Sequence, residues 1–204
     1  CDAICVVNVS NYMGFIKKRI FINLLQMGRQ YRNSNRKGHC SHEQSNKEKQ
    51  YRYFSMSIIG FEVTREVIEQ LQNVASSNTK EVCGILTGSI TVSGAYRINN
   101  MSAILSTKSS SKYSCIRDAN IANDFINEEF RRSNGTRVYL GECHTQLELN
   151  PIPSTENKKT ICKIYKKQTL PLGLVIFAIV GWNNIYWGYY DGNTFVRITQ
   201  IIVV

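Results

Sequence analysis

An almost continuous apolar run over residues 173–180 leaves this chain few possible architectures. The run has the length of a strand, and the lack of polar alternation is typical of a strand that is buried on both faces. A helix that crosses a membrane needs about 20 apolar residues in a row, and no run in this chain approaches that length. The sequence therefore predicts a folded protein built around a sheet, with no membrane-spanning segment.

Hydrophobic periodicity predicts the other helices and strands. Val67, Leu71 and Val74 recur at helical spacing, and Thr64 is placed to cap the start of that helix. Asp191-Gly192-Asn193, between two apolar segments, is typical of a hairpin turn. The predicted order is a helix after 64, strands at 82–87 and 96–98, a loop at 106–114, a helix around 121–130 that ends before Asn134-Gly135, a strand at 138–144, a helix that Ser154 begins, and strands at 173–180, 185–190 and 194–198. This order predicts a single α/β (α+β) domain over residues 56–204, with a mixed central sheet flanked by helices.

Positive charge is concentrated near the N-terminus. The chain has 25 Lys and Arg against 15 Asp and Glu, and residues 1–50 hold nine of the basic and three of the acidic side chains. Residues 28–52 have almost no aliphatic side chains, so they cannot bury enough surface to order themselves. We therefore predict that residues 1–55 form a basic, partly disordered extension or linker. Contact of this extension with nucleic acid or an acidic surface is the alternative.

The cysteines favour a reducing compartment. There are seven of them, an odd number, and none has the C-x-x-C spacing of a thiolate zinc site or a thioredoxin-type motif. His39, Cys40 and His42 lie close together but have no fourth ligand at a usable spacing. We interpret the cysteines as mostly reduced thiols of a cytoplasmic protein. The first residue is Cys1 rather than Met, which favours a fragment or a processed form, with a mature bacterial lipoprotein as the alternative.

Three short segments carry the candidate chemistry, namely residues 81–88 (Glu-Val-Cys-Gly-Ile-Leu-Thr-Gly), 141–146 (Gly-Glu-Cys-His-Thr-Gln) and 153–157 (Pro-Ser-Thr-Glu-Asn). On a strand, His144 and Gln146 point to the same face, which is the geometry that a chelating pair needs. Asn157 lies one turn into the helix that begins at Ser154, so its side chain can reach back to the end of the strand. Glu81 begins a strand that could lie alongside. Together these residues would form a half-open metal cup.

Each of these residues also has an ordinary structural interpretation. A Glu before a strand is usually solvated, and a Ser at a helix start is a common N-cap. A His on a strand is more often a hydrogen-bonded core residue than a metal ligand. The joint spacing, rather than any single residue, favours a functional site. The aromatic residues Trp182, Tyr186, Trp187, Tyr189 and Tyr190 are interpreted as packing residues rather than a binding platform.

The three segments resemble the JAB/MPN (JAMM) family of metal-dependent isopeptidases. The family pattern is an upstream Glu, then His-Ser/Thr-His-Pro, and then Ser-x-x-Asp that begins eight residues after the second His. Here His144-Thr145-Gln146 is followed by seven residues and then by Ser154-Thr155-Glu156-Asn157, so the spacing is kept, with Leu147 where the family has Pro. The likeness covers about residues 57–200, and residues 139–145 (Tyr-Leu-Gly-Glu-Cys-His-Thr) are most similar to prokaryotic JAB proteins.

The resemblance implies a JAB/MPN-like fold with cytidine-deaminase-like layering and a Zn²⁺ ion that activates a water molecule for hydrolysis. Position by position, Glu81 would be the general acid/base and Ser154 would stabilise the oxyanion. His144, Gln146 and Asn157 occupy the three metal-ligand positions. The substrate would be a ubiquitin-like protein or a peptide, and an E1-like conjugation system would be a further partner.

Two of the three ligand positions depart from the family pattern, since Gln146 replaces His and Asn157 replaces Asp. An amide oxygen is a neutral and poor zinc donor, and even changes outside the ligand set cost roughly 10- to 100-fold in metal affinity. Glu148 or Glu156 could compensate, whereas Cys143 should point to the opposite face. We therefore expect an impaired JAB-type zinc isopeptidase, with a catalytically inactive family member that acts as a protein-interaction module as the alternative.

Overall fold

The computed structural model describes residues 60–102, 118–167, 170 and 172–204. These residues form an eight-stranded mixed sheet and three helices. The predicted basic extension, residues 1–55, and the predicted loop at 106–114 lie outside the described residues. The helices are α1 (Arg65–Ser77), α2 (Ala119–Arg132) and α3 (Thr155–Lys167), and the strands are β1 (Phe61–Val63), β2 (Cys83–Ile90), β3 (Tyr96–Met101), β4 (Val138–Thr145), β5 (Val175–Val180), β6 (Ile185–Tyr190), β7 (Phe195–Arg197) and β8 (Ile202–Val203).

The strand predicted from the apolar run, β5, lies inside the sheet. The strand order is β7-β6-β5-β4-β2-β3-β1-β8, in which β5 runs parallel to β4 and antiparallel to β6. All six residues of β5 are buried. Its alternate side chains enter two separate hydrophobic clusters, one on each face of the sheet. The prediction of a strand buried on both faces is therefore confirmed.

The helices cover both faces of the sheet. On one face, Val67 and Leu71 of α1 pack against the side chains of β2 to β5. On the other face, Ile126 of α2 and Ile161 and Ile164 of α3 pack against side chains of β2, β4, β5 and β6. Full burial of an aliphatic side chain contributes about 1.5–3 kcal/mol, so these contacts hold a mixed α+β fold together. None of the three described helices has the length and apolar character that crossing a membrane requires.

Capping groups and turns set the helix boundaries. The Asp118 side chain accepts hydrogen bonds from the first turn of α2 at 2.8 and 3.2 Å. After α2, Asn134 and Gly135 adopt positive φ angles of 52° and 78°, which stop the helix as predicted. Thr64 is the N-cap residue of α1 as predicted, and its carbonyl accepts the N–H of Ile68 at 3.3 Å, but its hydroxyl is buried and makes no cap bond. The carbonyl of Val204 accepts the N–H of the first α1 residue at 3.0 Å instead.

Candidate functional site

The candidate site lies at the end of β4, where this strand pairs antiparallel with β2. Cys83 is the partner of His144 in this register. The pairing continues one residue further through two hydrogen bonds of 2.8 and 2.9 Å, one of them to a side-chain hydroxyl. Glu81 and Gln146 are the next residues in the sequence, and strand alternation continued to them would turn both toward the face of His144. That face is the one covered by α2 and α3, since Ile179, the neighbour of His144 in β5, packs there.

The start of α3 brings two further predicted residues to the same place. The Oγ of Ser154 accepts the N–H of Asn157 at 3.1 Å, and the Oδ1 of Asn157 accepts the N–H of Ser154 at 2.8 Å. This reciprocal capping box stabilises the first helical turn, by about 1 kcal/mol. The Nδ2 of Asn157 lies 3.3 Å from the Nε2 of His144. The side chain of residue 157 thus reaches the strand end, as the spacing predicted.

The orientation of the Asn157 amide follows from its donors. Its Oδ1 accepts from both the N–H and the Oγ–H of Ser154, at 2.8 and 2.9 Å. The oxygen therefore faces Ser154, and the NH₂ group must face His144. An NH₂ group can only donate, so it donates to the lone pair of Nε2. This lone pair is the one that a metal ion would need from this nitrogen.

His144 is neutral at physiological pH. Desolvation by burial lowers its pKa from 6.5 to about 4. A neutral imidazole can accept the hydrogen bond from Asn157, which an imidazolium cannot. The folded state binds a proton at His144 less readily than the unfolded state does. The contribution of neutral His144 to the free energy of unfolding is therefore fully present above pH 6.5 and is lost as the pH falls through 4.

Gln146 is anchored by its backbone but not by its side chain. Its N–H donates to the carbonyl of Val180 at 2.9 Å, which ties it to the end of β5. Its side-chain oxygen is buried and has no hydrogen-bond donor among the described residues. A buried acceptor without a donor costs about 1–3 kcal/mol. Gln146 therefore holds an acceptor that a bound molecule could satisfy.

The surroundings of Glu81 disfavour the charged form of its carboxyl group. Burial raises the pKa of its carboxyl from 4.5 to about 7, and repulsion from the Glu148 carboxylate contributes to the rise. Neither carboxylate has a cationic side chain within salt-bridge distance among the described residues. A carboxyl group with a pKa near 7 can both accept and release a proton at neutral pH.

The loop of residues 147–153, which joins β4 to α3, is held against the turn that follows β5. The N–H of Trp182 donates to the carbonyl of Glu148 at 2.9 Å. A Cβ at Gly181 would lie 2.5 Å from that same carbonyl oxygen and 2.5 Å from the Cδ of Pro151. Only glycine fits at this contact, and the close contact fixes the position of Glu148 beside the site.

The structure distinguishes among the residues that could add a metal ligand beside Gln146 and Asn157. Cys143 packs in the cluster under α1, on the opposite face, as predicted. Glu156 is exposed and contacts Lys159 at 3.3 Å, so it does not turn into the site. Glu148 is close enough to Glu81 to raise its pKa. The described residues include no group of three or more His, Cys, Asp or Glu side chains that could hold a metal ion.

The donor set therefore does not fit zinc. Zinc sites are built from thiolates, imidazoles and carboxylates. Here one imidazole, from His144, stands with two neutral amides, from Gln146 and Asn157. The imidazole nitrogen already accepts a hydrogen bond from Asn157, and the Asn157 oxygen is taken by Ser154.

Comparisons with known proteins agree with the fold and leave the chemistry open. No protein-family model matches this sequence, and no curated protein matches it. Among 144 matching solved chains is the solution structure of protein DSY2949 from Desulfitobacterium hafniense. It is 15% identical, with a TM-score of 0.52, and the alignment covers 71% of this chain and 92% of that one. At this identity the likeness shows a shared mixed α+β fold and nothing about activity.

Sequence reasoning missed two residues beside the site. Cys83 is the direct partner of His144 in the β2–β4 register. Strand alternation puts residues 81 and 83 on the same face, and this spacing could have identified Cys83 from the sequence. Trp182 was interpreted as a packing residue, which is wrong, because 55% of its surface is exposed. The same interpretation is confirmed for Trp187 and Tyr190, which are buried.

We expect Glu81→Gln to stabilise the protein above neutral pH. The folded-state pKa of about 7 exceeds the starting value of 4.5, so wild-type stability falls as the pH rises from 4.5 to 7. The glutamine of the variant does not ionise, so the variant keeps its stability over this range. After allowance for solvent screening, its free energy of unfolding above pH 7 should exceed that of the wild type by about 1–2 kcal/mol. Urea denaturation at pH 4.5 and pH 8 measures the difference. Glu69→Gln, on the exposed side of α1, is the control, and equal gains in both variants would contradict the expected environment of Glu81.

Proposed function

We propose that this chain is a JAB/MPN-type domain whose metal centre is closed by hydrogen bonds, and that it binds the tail of a ubiquitin-like protein or another peptide without cleaving it. The spacing of the motif, which matches the family pattern, supports this proposal, and so does the contact between His144 and Asn157. The mixed sheet with helices on both faces is compatible with the JAB/MPN-like, cytidine-deaminase-like layering that we propose.

A single contact carries the proposal. The Nδ2 of Asn157 lies 3.3 Å from the Nε2 of His144, so a donor hydrogen occupies the direction in which a zinc ion would bind. A carboxylate at this position would offer a lone pair and a negative charge, whereas the amide offers neither. The strand and the helix are therefore joined directly, without a metal ion between them.

Binding without cleavage also fits the polar groups around this contact. The buried oxygen of Gln146 lacks a donor, and a backbone N–H of an extended peptide is a donor of the right kind. Saturating this acceptor would recover part of the roughly 1–3 kcal/mol that its isolation costs. This gain favours an occupied site over an empty one.

The partner and compartment follow from the family resemblance and the cysteines. Cys83 and Cys162 are free thiols, which suits a reducing compartment such as the cytoplasm. An E1-like conjugation system there would supply the ubiquitin-like partner.

A weakened JAB-type zinc isopeptidase is the second candidate. The pKa of Glu81, raised to about 7, favours it, because a binding module has no need of a proton-transfer group. In this candidate Glu81 would exchange a proton with the reacting groups near neutral pH. It requires that Gln146 or Glu148 complete a metal site that the described donor set does not form.

Zinc content separates the two candidates. The protein is incubated with excess Zn²⁺, dialysed and measured by elemental analysis. We expect no more zinc than in a control protein without metal sites, and no cleavage of a ubiquitin fusion. About one zinc per chain, with cleavage that a chelator abolishes, would overturn the proposal in favour of the weakened isopeptidase.

A further inference from the structure

Three large apolar side chains are exposed beside the candidate site. Leu149, Ile152 and Trp182 are 53%, 67% and 55% exposed, and we call them the rim patch. The first two lie in the loop between β4 and α3, and the third lies in the turn after β5. Single exposed apolar residues are ordinary, but three on two adjoining loops form a surface suited to a partner.

The rim patch is held rigidly. The N–H of Trp182 donates to the carbonyl of Glu148 at 2.9 Å, and the N–H of Asn183 donates to the carbonyl of Leu149 at 3.3 Å. The close contact of Gly181 with the loop adds a steric constraint. A surface that is ordered before binding loses less entropy when a partner docks. Tryptophan is also the residue most often found at the energetic centre of an interface.

Negative charge adjoins the rim patch. Glu148 is exposed and immediately precedes Leu149 in the same loop. Its carboxylate forms no ion pair within the described residues. A cationic side chain of a partner could therefore pair with this carboxylate. The surface therefore combines apolar contact area with an unmet demand for positive charge.

We infer that the rim patch and Glu148 bind an extended segment of a partner protein in which Lys or Arg stands next to an apolar side chain. The apolar side chain would pack against Trp182 and Leu149, and the cation would lie against Glu148. The inference rests on the proposed function, since it names the chemistry of the partner that this site binds.

Charge argues against a second copy of this chain as the occupant. A two-fold contact through the rim patch would bring the same surface of each copy together, and the Glu148 carboxylates of both copies would then meet. Three side chains also fall short of the roughly 800 Å² per partner that a stable interface buries. A short cationic segment satisfies the charge and the size of the patch.

The test uses the full chain and a fluorescently labelled peptide, acetyl-Gly-Leu-Lys-Leu-Lys-Gly-amide. We expect saturable binding by fluorescence anisotropy, with a dissociation constant below about 1 mM. Binding should weaken as salt is raised from 0.05 to 0.5 M, because the charges are near the surface. The same peptide with Glu in place of Lys, or with Ser in place of Leu, should bind at least about tenfold more weakly.

Substitutions locate the binding surface. Trp182→Ala should weaken binding by at least about tenfold, and Glu148→Lys by about fivefold. Two matched controls should leave it unchanged, namely Val92→Ser, an apolar position 91% exposed in the turn between β2 and β3, and Glu69→Lys on α1. Sedimentation velocity of the wild type and Trp182→Ala tests the second copy as occupant.

Each result bears on the inference separately from the proposed function. No binding below 1 mM, equal binding of the Glu peptide, or unchanged binding by Trp182→Ala would overturn the inference. A dimer that Trp182→Ala dissociates would also overturn it, because a second copy would then occupy the rim patch. If the peptide does not bind and the protein holds no zinc, only the inference about the rim patch is contradicted. If the protein holds zinc and the peptide binds, only the proposed function is contradicted.

Discussion

The double variant Gln146→His, Asn157→Asp should bind zinc at least about 100-fold more tightly than the wild type. Residue 146 would gain an imidazole, and residue 157 would gain the negative charge that the site lacks. The donors of Ser154 that hold the Asn157 oxygen at 2.8 and 2.9 Å would hold one oxygen of the aspartate. The other oxygen would take the place of the NH₂ group and leave the Nε2 of His144 free to bind metal. Competition with a chromophoric chelator measures the affinity.

The control for this variant makes the same two changes elsewhere. Gln72 and Asn73 are exposed on α1, which covers the opposite face of the sheet, so Gln72→His, Asn73→Asp adds identical groups away from the site. If both double variants bind zinc equally weakly, the geometry inferred for His144 and residue 157 is wrong. The single variants should lie between the wild type and the double variant, because each adds one metal ligand.

The strands and helices that periodicity could reveal are those with enough residues to show a pattern. The run at 173–180 became β5, six residues buried on both faces. By contrast, β1 has three residues and β8 has two, too few to show a period. Their assignment as strands depends on pairing across the chain, since β1 pairs with β3 on one side and with β8 on the other. Such a contact between distant parts of the chain has no local signal.

For the candidate site, spacing predicted which residues meet but not how they meet. The approach of Asn157 to His144 follows from the strand period and the position of the helix start. The direction of the Asn157 amide does not, because it depends on the two donors that Ser154 presents. The raised pKa of Glu81 depends first on its burial in the folded protein and then on the Glu148 carboxylate of a separate loop. These properties arise from the assembled structure and could not be predicted from the sequence pattern.

Gly141→Ala should unfold the protein or cost more than about 4 kcal/mol of stability. Gly141 is in β4, three residues before His144, and was part of the segment that the sequence singled out. A Cβ at this position would lie 1.7 Å from the carbonyl oxygen of Ile176 and 2.6 Å from its carbon. These are backbone atoms of the neighbouring strand, so no side-chain rotation can relieve the clash. The two central strands would have to separate, and the candidate site would be lost with them. Urea denaturation followed by circular dichroism measures the effect.

The same substitution at Gly60 provides the control. A Cβ there would lie 3.2 Å from the Cβ of Ala95, a tight contact that a small shift relieves, so Gly60→Ala should change stability by less than about 1 kcal/mol. A Gly141→Ala protein as stable as the Gly60→Ala protein would mean that β4 and β5 do not pair in the register that joins Gly141 to Ile176. His144 takes its place beside Ile179 from that same register. Gly141 lets β4, which carries His144, lie close against β5 at the centre of the sheet. The glycine is therefore as necessary to the position of the imidazole as the hydrogen bond from Asn157.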